Sequence, residues 1–166
     1  MSIQNKTDWS HFVVSIPLNI PSDQIISAWT SQDGLEKWFL RLAEFTDVNG
    51  RIRSRNQTIQ QGDSYKWMWH GWPDTVVETG SILPCQDREF IRFTFGKAGI
   101  VGVSIISVDG ESILQLTQEN IPQDEESVMT YHVGCKTGWT FYLLHLKSIL
   151  HGGQDLRNKN NSLQMD

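Results

Sequence analysis

The stretch from Ser127 to Gly153, SVMTYHVGCKTGWTFYLLHLKSILHGG, constrains the fold more than any other part of the sequence. Val128, Tyr131, Cys135, Trp139, Tyr142, Leu146 and Leu150 recur at spacings of three and four, which sets them on one stripe of an α-helix. Gly152 and Gly153 supply a left-handed stop. Pro122, Asp124, Glu125 and Glu126 mark the start, where acidic groups suit the helix dipole. A helix with one apolar stripe has to bury it, and the sequence ahead of it reads mostly as short strands. The expected fold class is therefore α+β, a sheet covered by one long terminal helix.

The order of the remaining elements sharpens that expectation. Trp9–Ile16 alternates as a first strand, and Pro17 and Pro21 bracket a short connection. Ser22 is placed to cap a helix carrying Ile25, Ile26 and Trp29, and a second short helix carries Leu35, Trp38 and Phe39. From Ala43 the pattern turns to strands: Ala43–Val48, Tyr65–His70, Thr75–Leu83, Glu89–Phe95, Ile100–Val108 and Ser112–Glu119. Asn49-Gly50 marks a turn, Arg51–Gly62 reads as a polar loop, and Asp109-Gly110 is the strongest hairpin signal. Such spacing fits an antiparallel meander curved around the last helix. Residues 1–8 are expected to be frayed and 9–153 to form one domain. Residues 154–166 are expected to be a polar, frayed tail, with Leu156 and Arg157 the only residues placed to pack locally.

Composition closes off several function classes. A net charge of −5 argues against a nucleic-acid surface, which needs a basic patch. The one basic cluster, Arg51, Arg53 and Arg55, falls in a solvated edge or loop. No apolar run approaches the ~20 residues of a membrane span, and the N-terminus lacks the apolar region of a signal peptide. Cys85 and Cys135 form neither a disulfide framework nor a metal motif, which points to a cytoplasmic protein with reduced thiols. His11, His70, His132, His145 and His151 show no ligand spacing, so no metal and no cofactor is expected. Seven tryptophans and seven phenylalanines instead give the chain an aromatic-rich interior.

Three segments carry a family resemblance: Ile20-Pro21 followed by IISAWTSQDGLEKWF (Ile25–Phe39), GDSYKWMWHGW (Gly62–Trp72) and GWTFYLLHLKSILHGG (Gly138–Gly153). With the element order, they resemble the SRPBCC superfamily, also called START-like or helix-grip and including Bet v 1-like folds. Within it the chain is similar to single-domain members of the family of the activator of the 90-kDa heat-shock protein's ATPase. The resemblance implies a curved antiparallel sheet, with two short helices after its first strand, wrapped around the C-terminal helix with a cavity between them. Binding of an apolar or aromatic small molecule there is the leading expectation. A stress-related co-chaperone of the 90-kDa chaperone is the alternative, and a cyclase- or hydrolase-like enzyme is the third.

The candidate ligand-binding residues are Tyr65, Trp67, Trp69, Phe93, Gln118, Trp139, Tyr142 and Leu146. Tyr65, Trp67 and Trp69 form an aromatic ladder on one strand face, and Trp139, Tyr142 and Leu146 oppose it from the helix. Gln118, in phase with Leu114 and Leu116, is preferred as polar anchor over Glu78 and Glu119. No catalytic residue is assigned, since His70 and His132 have no identifiable partner and Cys135 reads as a small hydrophobe. Gly134 and Gly138 inside a helix each cost ~1 kcal/mol relative to alanine. Their spacing predicts close packing against a strand or, alternatively, a kink that opens the groove. Phe141 and Leu144 lie off the stripe: either the N-terminal strand or the short helices cover them, or they offer an apolar patch for a homodimer.

Overall fold

The computed structural model describes residues 7–164, so most of the start expected to be frayed lies outside the described residues. The chain opens with β1 (Phe12–Pro17), α1 (Ser22–Trp29) and α2 (Gln32–Glu36). Six strands follow: β2 (Leu42–Thr46), β3 (Ser64–Met68), β4 (Glu78–Ser81), β5 (Glu89–Thr94), β6 (Ile100–Val108) and β7 (Glu111–Glu119). The terminal helix comes in three parts: α3 (Glu125–Ser127), a π-helical stretch (Val128–Val133) and α4 (Gly134–Leu150).

Strands β2-β3-β4 and β5-β6-β7-β1 form two antiparallel sheets. A bridge between Ile82 and Phe93 joins them, and Leu83 N–H donates to the Arg92 carbonyl at 2.8 Å, so the seven strands make one curved surface. Its most regular part is the β6–β7 hairpin, where Asp109 (φ 51°) and Gly110 (φ 83°) both adopt the left-handed conformation that a tight two-residue turn requires. Register follows directly, from Val108 opposite Glu111 to Ile100 opposite Glu119. Val101, Val103, Leu114 and Leu116 therefore all face inward and are fully buried.

Local details differ from the sequence reading in two places. Ser22 is the first helical residue of α1 and caps nothing, because Pro21 occupies the cap position and offers only its carbonyl. The side-chain cap occurs one helix later, where Ser31 Oγ accepts from Gly34 N–H at 3.0 Å.

The apolar stripe of the last helix is also rotated. The i→i+5 turns of Val128–Val133 are wider than α-helical turns. They shift the phase so that His132, Trp139, Leu143, His145 and Leu146 point into the core. Tyr131, Cys135, Tyr142 and Leu150, expected on the stripe, lie half-buried along its edge.

Charged groups tie the periphery to this core. Arg53 makes a bidentate pair with the fully buried Asp63, and Arg55 reaches Asp33 at 2.8 Å, so two of the three arginines of the basic cluster are spent on the chain's own carboxylates, while Arg51 is exposed. The tail also reaches far. The Arg157 guanidinium donates to the carbonyls of Glu36 (3.0 Å), Lys37 (3.0 Å) and Leu40 (3.1 Å), which the end of α2 leaves without helical partners. Asp155 pairs with Arg157 and places Oδ1 3.0 Å from Nε2 of the buried His145, whose Nδ1 lies 2.7 Å from the Trp38 carbonyl.

Candidate functional site

The interior face of β3 and the inward face of α4 meet as the alternation predicts, but most of the space between them is filled. Tyr65 and Trp67 stack at 3.9 Å, and Phe93 packs edge-on against Trp67 at 5.0 Å. The Tyr65 hydroxyl donates to the Thr94 carbonyl, and burial, then the charge of Glu78, pushes its pKa upward. Gln118 is fully buried and engaged at both ends of its amide: its nitrogen donates to the Ala98 carbonyl at 2.8 Å and its oxygen accepts from Trp139 Nε1 at 2.8 Å. That chain of bonds locks the Trp139 indole, which lies 4.9 Å from Phe39 and 5.7 Å from Phe95.

An opening remains where this aromatic core meets the widened turn. It is an apolar cleft of about 170 Å³ between the start of α4 and the sheet. Gly134, Cys135 and Gly138 form its helix side with Trp139 and Tyr142, and Phe39, Trp69 and Phe95 face them. A Cβ on Gly138 would meet nothing within 4 Å, and one on Gly134 only the Met129 carbonyl at 3.5 Å. The two glycines thus do not pack against a strand; they open the cleft, next to the π-helical stretch.

Of the residues expected to bind a ligand, Trp69, Trp139 and Tyr142 border the cleft. Tyr65, Trp67, Phe93, Gln118 and Leu146 stand behind it in the packed interior. Phe39, Phe95 and Thr130 complete the lining and were not singled out from sequence, although the glycine pair marks where the opening falls.

A second, more open trough of about 550 Å³ continues from the cleft and shares Phe95, Thr130 and Cys135 with it. Its polar wall is Glu78, Lys97 and Tyr131. Burial pushes the Glu78 carboxyl up, and burial, with Glu78 adding to it, pushes up the Cys135 thiol. Cys135 is therefore held as a neutral thiol, a weak nucleophile. Larger hollows elsewhere, such as the one of about 690 Å³ beside Arg92 and Glu119, lie on the polar outer surface.

The histidines lie away from the cleft. His132 Nδ1 is 2.8 Å from the Trp9 carbonyl, and its ring meets Trp9 and Phe12 edge-on, so it fastens the N-terminal segment to the helix. Among the described residues no three His, Cys, Asp or Glu side chains gather as metal ligands. None of the described helices is long and apolar enough to cross a membrane.

A curved seven-stranded surface closed on a long C-terminal helix, with two short helices inserted after the first strand, defines a helix-grip domain. The chain belongs to the family described as Activator of Hsp90 ATPase homolog 1-like protein, whose model matches residues 19–151. No curated protein matches the sequence.

Solved structures share the fold at low identity. Protein SSP2350 from Staphylococcus saprophyticus is 16% identical over 89% of this chain and 96% of that one, with a TM-score of 0.65. The Aha1 dimer from Colwellia psychrerythraea is 16% identical over 87% and 98%, with a TM-score of 0.63. DynU16, a protein of the dynemicin biosynthetic locus, is 16% identical over 90% of this chain but only 50% of its own, with a TM-score of 0.61.

Proposed function

We propose that the protein binds a small apolar or aromatic molecule in the cleft between α4 and the sheet. The observation that carries this reading is the open face at Gly138, a costly residue inside a helix, surrounded by Trp69, Trp139, Tyr142, Phe39 and Phe95. An apolar cavity of about 150 Å³ is large enough to take benzene, so a volume of about 170 Å³ suits one aromatic ring or a short aliphatic segment. Trp69 and Trp139 sit in the wall, so tryptophan emission titrated with single-ring alcohols reports occupancy. A saturable change with a micromolar to millimolar midpoint supports the reading, and emission that never saturates refutes it.

A second reading, contact with another protein, is favoured by the outer face of the same helix. Phe141 is 41% exposed and Leu144 56% exposed, with Met129 and Val133 also open to solvent. The Colwellia relative is a dimer, and the family description refers to Hsp90 ATPase. Self-association of this chain through Phe141 and Leu144, or docking of the 90-kDa chaperone there, would cover this face. Sedimentation tests the first, and stimulation of chaperone ATPase on mixing tests the second.

A further inference from the structure

The cleft and the trough are two ends of one groove, and the ends differ in chemistry. The inner end is walled by aromatic rings and by the bare backbone of Gly138. At the outer end stands Glu78, half-buried at the start of β4. Its carboxylate lies against Gly96, where an added Cβ would sit 2.7 Å from Oε1. It lines the trough together with Tyr131 and Cys135.

Most other buried or partly buried carboxylates have cationic partners, Glu44 in β2 and Asp47 just beyond it being exceptions. Asp63 has Arg53, Glu36 has Arg55, Glu89 and Glu119 share Arg92, and Asp155 has Arg157. Glu78 has none among the described residues. Lys97, the cation that also lines the trough, is solvent-exposed and does not come within ion-pair distance. Thr130, Tyr131 and Cys135 complete that end without positive charge. A half-buried carboxylate without a counter-ion is uncomfortable in the free protein, and a cation placed beside it recovers part of the lost solvation.

Resting on the cleft being a binding site, we propose that its ligands are aryl-alkyl amines: a single ring in the cleft at Gly138 and an ammonium or amine donor on Glu78. The ring packs among the aromatic walls, and the head group supplies the counter-charge that Glu78 lacks. Lys97 at the outer rim attracts an anionic head group, but it is solvent-exposed, so that attraction is screened more than the repulsion from the half-buried Glu78.

The test is a tryptophan-emission titration of the full chain with 4-phenylbutylamine, 4-phenylbutan-1-ol and 4-phenylbutanoate, which share a ring and differ in head charge. The amine should bind about fivefold tighter than the alcohol, and the carboxylate weakest. In Glu78→Gln the advantage of the amine over the alcohol should disappear. Equal affinity of amine and alcohol in the native protein, tighter binding of the carboxylate, or an amine preference that survives Glu78→Gln would each overturn the Glu78 assignment and leave the cleft intact. Saturation by none of the three would overturn both the assignment and the cleft.

Discussion

Replacing Gly138 by alanine should make the protein more stable, and the size of the gain follows from the geometry. Glycine in a helix interior is less favourable than alanine by ~1 kcal/mol. Gly138 lies well inside α4 (Gly134–Leu150), and the added Cβ finds no heavy atom within 4 Å, so no strain subtracts from the gain. For a chain of this size ~1 kcal/mol corresponds to a rise of about 2–4 °C in Tm. With a urea slope of about 2 kcal/mol/M the midpoint should move up by about 0.5 M at constant slope. Gly138→Leu should keep most of that propensity gain while pushing its side chain into the cleft of about 170 Å³. Single-ring alcohols should then bind at least about tenfold more weakly. Parallel urea melts and emission titrations read both quantities. A lowered midpoint for Gly138→Ala would mean that the helix is closely packed there and the cleft is closed. Unchanged binding in Gly138→Leu would place the ligand elsewhere.

Four further outcomes are expected. Arg157→Ala leaves the carbonyls of Glu36, Lys37 and Leu40 without the guanidinium and should destabilise the fold by about 3 kcal/mol, with faster amide exchange around Trp38–Arg41; a loss below about 0.5 kcal/mol would show the tail to be dispensable. Gln118→Leu strands the Trp139 indole N–H and the Ala98 carbonyl in the core and should cost about 2–3 kcal/mol in a urea melt, so a neutral result would contradict the buried network.

Hydrogen bonds from Arg157, the largest cause, hold the Asp155 carboxyl well below its ordinary value of 3.8, so its contribution is present above that value and is lost as pH falls below it. Urea midpoints taken across that acid range should fall less steeply in Arg157→Ala than in the native chain, and parallel curves would refute the coupling. Finally, Phe141→Glu with Leu144→Glu should abolish self-association in sedimentation at high micromolar concentration; a native chain that is monomeric there removes the dimer reading.

The fold was legible because its strongest signals are local. The Asp109-Gly110 turn fixes a hairpin whose register carries four inward residues into the core, and the Tyr65/Trp67 alternation needs only the pleat of one strand. The phase of the last helix was less legible. A π-helical stretch holds the i→i+5 pattern only because tertiary packing supports it, and its effect is to turn Leu143 and His145 inward and leave Tyr142 on the rim.

Site residues divided along the same line. Trp69, Trp139 and Tyr142 were recoverable from facing stripes. The role of Gln118 was not, because a buried amide in phase with Leu114 and Leu116 looks like a ligand anchor until Trp139 and Ala98, 21 and 20 residues away, are seen to use it up. Glu78 shows the converse. Sequence ranks it below Gln118, and only the three-dimensional census of cations reveals that it stands without a partner.

The docking of Arg157 on the end of α2 separates two definitions of where this domain stops. Kinship stops at residue 151, where the match to the family ends. Energetics stop later, at a side chain that is only 4% exposed and that serves as the C-terminal cap of a helix more than a hundred residues earlier in the chain. A chain cut after residue 151 would retain every strand and helix of the fold and still expose the carbonyls behind Trp38 and Phe39, the latter a wall of the cleft. Conversely, a fusion partner joined close behind Lys159 would pull on the same cap. For this protein the engineering limit is set by a guanidinium in the tail, and homology alone would place the cut on the wrong side of it.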